Sequence, residues 1–327
     1  MLEVIIISSL KVIAVIAVLL TGCAYSTYLE RKVVARMQHR IGPSYAGPFG
    51  LLQPIADAVK LMFKEDIVPS QVERVTYTLA PMIAFIPPVL TVAVVPFGAD
   101  TVLFGHEVKM IISDLNIGLL FIFAIASLEV YGIVLAGWSS GSKYSLLGGL
   151  RSSAQMISYE VGYGLSIVGV LLIANTLSLR EIVEQQATFT DWFIFRQPLA
   201  FFLFLTCAIA ETNRAPFDMP EAESELVGGY HTEYSSMRFA TFFIGEYAAM
   251  LAASALVATL FLGGWQGPYL PSILWFVLKV IGFMLFYIWL RATFPRFRYD
   301  QLMAFGWKVV FPLALLNTLV TALVVAW

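Results

Sequence analysis

The chain has 327 residues, of which 59% are hydrophobic and only 13% are charged, and its formal net charge is −2. This composition, with a mean hydropathy of +0.81, excludes a soluble globular domain. No basic-aromatic pattern points to nucleic acid. Apolar windows of about 20 residues, the length that crosses a bilayer, recur along the chain, so the sequence predicts an all-α integral membrane protein.

The apolar windows predict about eight membrane-spanning helices. The first window lacks the positive segment and the small-residue cleavage site of a removable signal peptide. No soluble domain fits in the connections, so residues 1–327 are predicted to form a single polytopic membrane domain. The predicted spans are 5–27, 77–97, 114–138, 156–176, 192–212, 237–262, 271–294 and 304–326.

A further helix is predicted in the connection between the first two spans. Residues 51–64 carry apolar side chains at helical spacing, while Asp57, Lys60 and Lys64 fall on more polar positions. Such a helix either lies in the membrane interface or caps the helix bundle, and the sequence leaves both interpretations open.

The distribution of lysine and arginine predicts the orientation. If the N-terminus lies outside, only Lys109, Arg180 and Arg196 face outward, and Lys11 and Lys279 lie within spans. The other basic residues then lie at or near the inner surface, as the positive-inside rule requires. The N-terminus is therefore predicted to lie outside. Both a bacterial membrane and an organelle's inner membrane fit the sequence, and its length and opening favour a bacterial cytoplasmic (inner) membrane with a periplasmic N-terminus.

The sequence offers no recognisable site for a redox cofactor or a metal. Cys23 and Cys207 are far apart in apolar spans, and His39, His106 and His231 are scattered among loops. No spacing suits zinc, haem or an iron–sulfur cluster, and no phosphate-binding glycine motif is present. Electron carriers, if the protein takes part in redox chemistry, are expected in other chains.

Acidic residues inside the predicted spans are the strongest functional signal. An isolated charge at mid-span costs about 2.5–3.5 kcal/mol, so several of them need a reason. Either each acid is protonated or paired and merely holds the bundle together, or the acids form a proton relay, which we favour. The acids within spans are Glu129, Glu160, Glu211 and Glu246, and the adjoining segment 210–234 adds Asp218, Glu221, Glu223, Glu225 and Glu233.

Five motifs are spread along nearly the whole chain: YLERKVVARMQHRIGP (28–43), GLLQPIADAVKLMFKE (50–65), SYEVGYG (158–164), AETNRAPFDMPEAESELVGGYHTEYS (210–235) and RATFPRFRYDQLM (291–303). Together they resemble the NuoH family, the membrane-arm heel component of proton-pumping NADH-quinone oxidoreductase (respiratory complex I). The resemblance runs nearly end to end.

The resemblance implies a place at the heel of the membrane arm, where the chain would wall a quinone chamber. Quinone would be the substrate, and FMN and the iron–sulfur clusters would reside in partner subunits, the terminal cluster in a peripheral-arm subunit. Antiporter-like membrane subunits and lipids would be further partners. By position, the chamber would involve Arg31, Arg40, Asp57, Lys60, Phe239, Phe243 and Arg291, although Arg31 and Arg40 also fit a purely subunit-bridging role.

The resemblance also implies that the nine acids named above link the quinone chamber to proton pumping. Three alternatives stay open at this point. The chain could be the homologous membrane subunit of a membrane-bound hydrogenase or another non-NADH dehydrogenase. It could also be an independent ion transporter, although no internal repeat is apparent, or a structural anchor without a relay.

Overall fold

The computed structural model describes residues 2–103, 106–219 and 227–327. The elements are α1 (Leu2–Met37), α2 (Gln53–Phe63), α3 (Arg74–Val92), β1 (Thr101–Leu103), β2 (His106–Val108), α4 (Gly118–Ser139), α5 (Lys143–Ala174), α6 (Leu179–Glu184), α7 (Phe193–Arg196), α8 (Pro198–Glu211), α9 (Ser236–Phe261), α10 (Ser272–Thr293), α11 (Tyr299–Phe305) and α12 (Phe311–Ala326). Three short 3₁₀ turns and a π-helical turn, Gly306–Val310, connect some of them.

The predicted all-α membrane class is confirmed. Within the described ranges, seven helical segments are long and apolar enough to cross a membrane. An eighth, Pro198–Glu211, is apolar but shorter, and it corresponds to the predicted fifth span. The antiparallel hairpin of β1 and β2, with Thr101 paired to Val108, is the only sheet that the described residues form.

Several helices begin or end away from the predicted spans. Helix α5 begins at Lys143, well before residue 156, and α3 ends at Val92 although apolar residues continue to 97. Hydropathy reports how far the apolar composition extends, whereas backbone hydrogen bonds set where a helix ends. After Val92 the backbone N–H groups of Val94 and Val95 bond three residues back, and this tighter turn closes the helix.

Helix α3 contains three prolines, Pro81, Pro87 and Pro88. Each proline removes a backbone donor and leaves a carbonyl in need of another partner. Pro81 leaves the Tyr77 carbonyl, four residues earlier, without its helical donor, and this carbonyl accepts a hydrogen bond from the Tyr234 hydroxyl at 3.2 Å. A side chain from outside the helix thus satisfies a backbone group that the proline has freed.

At one end of the bundle, the hairpin end, the connections 93–117, 175–197 and 262–271 are tied together. Arg180 donates to Glu184 at 2.9 Å and to Asp100 at 2.7 Å, and these hydrogen bonds raise the pKa of the Arg180 guanidinium. Buried Gln186 accepts from the backbone N–H of Gly263 at 2.9 Å. Lys11 Nζ donates to the Ile111 carbonyl at 2.5 Å, so α1 is joined to the same end.

At the opposite end, the basic end, α2 packs against α1 and α9. The hydroxyl of Ser236 donates to the Leu61 carbonyl at 2.9 Å, and that of Ser235 accepts from the Ile67 N–H at 2.8 Å. Along the rest of α2, Ile55, Met62 and Phe63 are exposed. The helix therefore lies along the bundle with an apolar surface uncovered by this chain, as a helix in the membrane interface would.

Helix α9 supplies much of the core. Its small side chains, including Ala248 and Ala252, are almost fully buried. Small residues allow neighbouring helices to approach closely, which is the main way that helices associate inside a membrane. This close packing positions Glu246 of α9 near the acids of α4 and α8.

Candidate functional site

A small internal cavity brings two of the predicted relay acids together. Glu129 of α4 and Glu211 at the end of α8 line the same space, with Thr91, Tyr163 and Thr212 among the other lining residues. Its volume is about 40 Å³, and a water molecule needs roughly 10–15 Å³ measured in this way. The cavity is polar enough and large enough to hold water between the two carboxyl groups.

Glu211 has unused hydrogen-bonding capacity. Its Oε2 is buried and has no hydrogen-bond partner among the described residues. A buried polar atom without a partner is costly unless a proton, water or ligand meets it. The cavity beside Glu211 provides room for such a water, so this acid is suited to exchange protons with its surroundings.

Glu160 is the next acid along this group. It lies on α5, and its Oε1 accepts a hydrogen bond from the hydroxyl of Ser127 on α4. Its charge is also within electrostatic reach of Glu211. Glu129, in turn, is within electrostatic reach of Glu211 and Glu246. The four acids predicted within spans therefore form one interacting group.

Glu246 connects this group to a buried arginine. Its Oε1 accepts a hydrogen bond from the hydroxyl of Tyr230 at 3.2 Å. Its Oε2 lies 3.6 Å from Nη2 of Arg214, whose side chain is only 7% exposed. The guanidinium also lies over the ring of Tyr247, 4.5 Å from its centroid. A buried arginine held in this way is positioned to respond to changes of charge on either side.

Glu30, near the basic end of α1, completes the group, although it was not among the acids predicted to form the relay. The side chain is buried, and its carboxylate accepts a hydrogen bond from the Tyr247 hydroxyl at 2.7 Å. Arg291 Nη1 also donates to Glu30, and Arg214 Nη1 lies 3.6 Å from it. The feature of the sequence that could have identified Glu30 is its position directly before Arg31 within the motif YLERKVVARMQHRIGP.

An open cavity at the basic end contains two of the predicted chamber residues. Arg31 and Arg40 line a space of about 520 Å³, together with residues 41–45. Arg31 Nη1 pairs with Asp57 of α2 at 2.7 Å, so a third predicted residue adjoins the cavity. Lys60, one turn further along α2, is exposed.

The remaining predicted chamber residues lie elsewhere. Phe239 and Phe243 of α9 pack on each other, with ring centroids 4.8 Å apart, and both contact His231. Neither phenylalanine lines the cavity of Arg31 and Arg40. Arg291 instead joins the buried group through Glu30.

The acidic segment is only partly within the described residues. Asp218 is buried and pairs with Arg296 at 3.1 Å, which fits a structural tie at the basic end. Glu233 is half-buried, and its backbone carbonyl accepts from the Tyr77 hydroxyl at 2.7 Å. Glu221, Glu223 and Glu225 lie outside the described residues.

Comparison with known proteins places the chain in a family. A family model described as NADH dehydrogenase matches residues 10–322. The chain belongs to the NADH dehydrogenase family. A relative from Thermomicrobium roseum, named as the H subunit of NADH-quinone oxidoreductase, is 53% identical over 330 residues that cover 98% of this chain and 97% of the relative.

Two further relatives are also named as H subunits of NADH-quinone oxidoreductase. The Koribacter versatilis protein is 56% identical over 341 residues, covering 97% of this chain and 96% of the relative. The Syntrophotalea carbinolica protein is 54% identical over 318 residues, again covering 97% and 96%. The predicted family is therefore confirmed, and this NADH dehydrogenase family member is a multi-pass membrane protein.

The part of the chain that the structure describes contains no group of three or more His, Cys, Asp or Glu side chains that could hold a metal ion. Cys23 and Cys207 are free and buried. The ionisable chemistry that the described residues do offer is the group of acids and arginines around Glu246 and Arg214.

Proposed function

We propose that this chain is the membrane subunit of a proton-pumping NADH-quinone oxidoreductase, in which it walls part of the quinone chamber and couples quinone reduction to proton translocation. Its family and the names of its relatives support the assignment to that complex. Its partners would then be a peripheral-arm subunit with the terminal iron–sulfur cluster, antiporter-like membrane subunits, and surrounding lipids. We further propose a bacterial cytoplasmic membrane with the N-terminus on the periplasmic side.

The observation that carries the proposal is a series of buried and half-buried ionisable groups that leads from the basic end into the bundle. Arg214 lies between Glu30 and Glu246, at 3.6 Å from each. From Glu246 the series continues through electrostatic contact to Glu129, which shares a cavity with Glu211. Ionisable residues inside a membrane protein are costly, and they commonly mark ion pathways or proton relays.

In the proposed reaction, a quinone head in the chamber takes up two electrons and two protons to become a quinol. The electrons come from the partner subunit's cluster, so this chain supplies no electron carrier. Arg31 and Arg40 donate to the carbonyl oxygens of the head, and the Glu30–Arg291 pair, which adjoins Arg31 along α1, senses the negative charge that develops during reduction. An apolar tail suits the exposed apolar face of α2, through Ile55, Met62 and Phe63.

Coupling follows from electrostatics in a medium of low polarity. Charges a few ångströms apart interact far more strongly inside a protein than in water. A change in the charge around Glu30 therefore alters the electrostatic attraction between Arg214 and Glu246. A proton that moves on or off Glu246 changes the protonation of Glu129, and then that of Glu211 and Glu160. The protonation state of the whole group therefore shifts with the state of the quinone.

Purification of the tagged chain from membranes in mild detergent tests the assignment. We expect flavin-containing and iron–sulfur subunits to co-purify, with NADH-driven quinone reduction that a quinone-site inhibitor blocks. Isolation of a lone, stable and inactive chain would contradict the proposal. Hydrogenase or other donor activity without NADH oxidation would instead support the alternative of a homologous non-NADH complex.

A further inference from the structure

A second basic pocket lies at the basic end, between the beginnings of α3 and α9. Its volume is about 230 Å³, and its lining is Val68, Arg74, Tyr77, Thr78 and Arg238. It shares no lining residue with the internal acid cavity or with the open cavity of Arg31 and Arg40. Two guanidinium groups, two hydroxyl-bearing side chains and one apolar side chain therefore line one space.

The two arginines differ in how firmly they are held. Arg238 lies over the ring of Tyr77, 5.2 Å from its centroid, and its Nη1 is 3.5 Å from Oδ2 of Asp66. That Nη1 is buried yet makes no hydrogen bond within the described part of the chain. Arg238 is thus held in place by an aromatic ring and a carboxylate, and its positive group is fixed beside the pocket that it lines.

Arg74 is the exposed member of the pair. It is the first residue of α3, and the structure gives it no ion pair among the residues it describes. The acids nearby are Asp66, 43% exposed, the half-buried Glu233 and the exposed Glu73, and none of them lines the pocket. Asp66 pairs with Arg238, whereas none of the described acids forms an ion pair with Arg74, whose guanidinium lines the pocket.

The pocket adjoins an apolar stripe that runs into the membrane. Val75, Leu79, Met82 and Ile86 of α3 recur at helical spacing and are 44–68% exposed. From Val75 to Ile86 the helix rises about 16 Å at 1.5 Å per residue, close to one leaflet of a hydrocarbon core of about 30 Å. An acyl chain alongside this stripe would bring its headgroup to Arg74 and Thr78.

We propose that this pocket binds the headgroup of an anionic phospholipid of the inner leaflet, with Arg74 and Arg238 contacting the phosphate and an acyl chain lying along the α3 stripe. Basic pockets between membrane helices on the cytoplasmic side suit phosphate headgroups, because the cations meet the anion at the depth where lipid presents it. Thr78 supplies a further hydroxyl at the same depth. The bound lipid links the connection before α3 to the beginning of α9.

The test measures lipid binding to the purified complex that contains this chain. Dioleoyl phosphatidylglycerol is titrated into the delipidated complex, and bound lipid is counted by native mass spectrometry, with dioleoyl phosphatidylcholine as the neutral probe. Arg74→Gln should weaken the tightest phosphatidylglycerol site about fivefold and leave phosphatidylcholine binding unchanged. Lys143→Gln is the matched control, since Lys143 is also an exposed cation at the beginning of a span.

Arg238→Gln provides a second variant and should weaken the same site. It is assessed only in preparations whose thermal unfolding midpoint matches the wild type, because Arg238 also contacts Asp66 and Tyr77. If the Arg238→Gln complex does not assemble, phosphatidylglycerol binding to the Arg74→Gln complex decides the result. Equal phosphatidylglycerol affinity for the wild type, Arg74→Gln and Lys143→Gln would overturn the proposal. Displacement of the lipid by millimolar inorganic phosphate would also overturn it, because the ligand would then be a free anion.

Discussion

Arg214 and Glu30 form a buried contact between the loop after α8 and the first helix, with Nη1 of the arginine 3.6 Å from Oε2 of the glutamate. Arg214 lies equally far from Glu246, so one guanidinium lies between carboxylates of α1 and α9. Arg291 also donates to Glu30. The basic end and the interior acids are therefore parts of one electrostatic unit.

Replacement of Glu30 by glutamine should damage both stability and activity. The substitution keeps the shape of the side chain but leaves Arg214 and Arg291 with one anion fewer. Breaking a buried ion pair costs about 3–5 kcal/mol, and we expect the lower part of this range because Arg291 is 36% exposed. The measurement is the thermal midpoint of the detergent-extracted complex together with its quinone-reductase rate.

Glu65→Gln is the matched control for Glu30→Gln, since Glu65 is exposed in the connection before α3. It should leave both quantities unchanged. A Glu30→Gln protein with the wild-type midpoint and rate would show that Glu30 contributes to neither.

Lys279→Met should destabilise the hairpin end. The ammonium group, buried within α10, donates to the carbonyls of Leu262, Gly264 and Gln266 at 2.6–2.8 Å. These carbonyls follow the end of α9, where the helix no longer supplies N–H donors. The interior of a membrane offers no water to replace such donors. Hydrogen bonds from a charged donor contribute about 1.5–3 kcal/mol each, so we expect a loss of at least about 3 kcal/mol.

The control for this substitution is Lys109→Met at the same end of the bundle. Lys109 is 58% exposed and pairs with Asp114 at 3.3 Å, and exposed pairs contribute about 0–1 kcal/mol. Thermal unfolding of both variants checks the prediction. Equal midpoints would mean that the three carbonyls find other donors when the ammonium is removed.

Gly132→Ala should force α3 and α4 apart. A Cβ atom at Gly132 would lie 2.6 Å from the backbone nitrogen of Ala84, which cannot move without displacing α3. Overpacking of this kind costs about 1–3 kcal/mol. Gly282→Ala is the control, because a Cβ there meets nothing within 4 Å, and alanine favours a helix over glycine by up to about 1 kcal/mol.

The thermal midpoint should therefore fall in Gly132→Ala and stay the same or rise in Gly282→Ala. Gly132→Ala with an unchanged midpoint would contradict the close packing of α3 against α4.

The sequence was informative wherever a local pattern decides the outcome. Apolar length predicted the membrane helices, and the spacing of residues 51–64 predicted a helix where the structure has Gln53–Phe63. The depth of Glu129 and Glu211 within their spans indicated that both lie inside the bundle. Their meeting in one cavity could not be read from depth alone, because it depends on how α4 and α8 are rotated about their axes.

Long-range pairing was the main feature that the sequence did not reveal. Glu30 and Arg291 are distant along the chain, and nothing local marks them as partners. The same holds for Arg214, which counted in the sequence only as a basic residue near the inner surface. Asp218 was predicted as a relay acid, whereas its pairing with Arg296 also fits a structural tie. Such pairs follow from the packing of α1, α9 and α10, which hydropathy does not describe.

The most direct test of the central proposal is proton translocation by Glu211→Gln in the complex reconstituted into vesicles. Assembly is checked through subunit content, and Glu65→Gln serves as the isosteric control at an exposed site. If the buried acids couple quinone reduction to pumping, the number of protons translocated per quinone reduced should fall by about tenfold or more in Glu211→Gln. It should stay at the wild-type value in Glu65→Gln. Undiminished pumping in an assembled Glu211→Gln complex would contradict the relay.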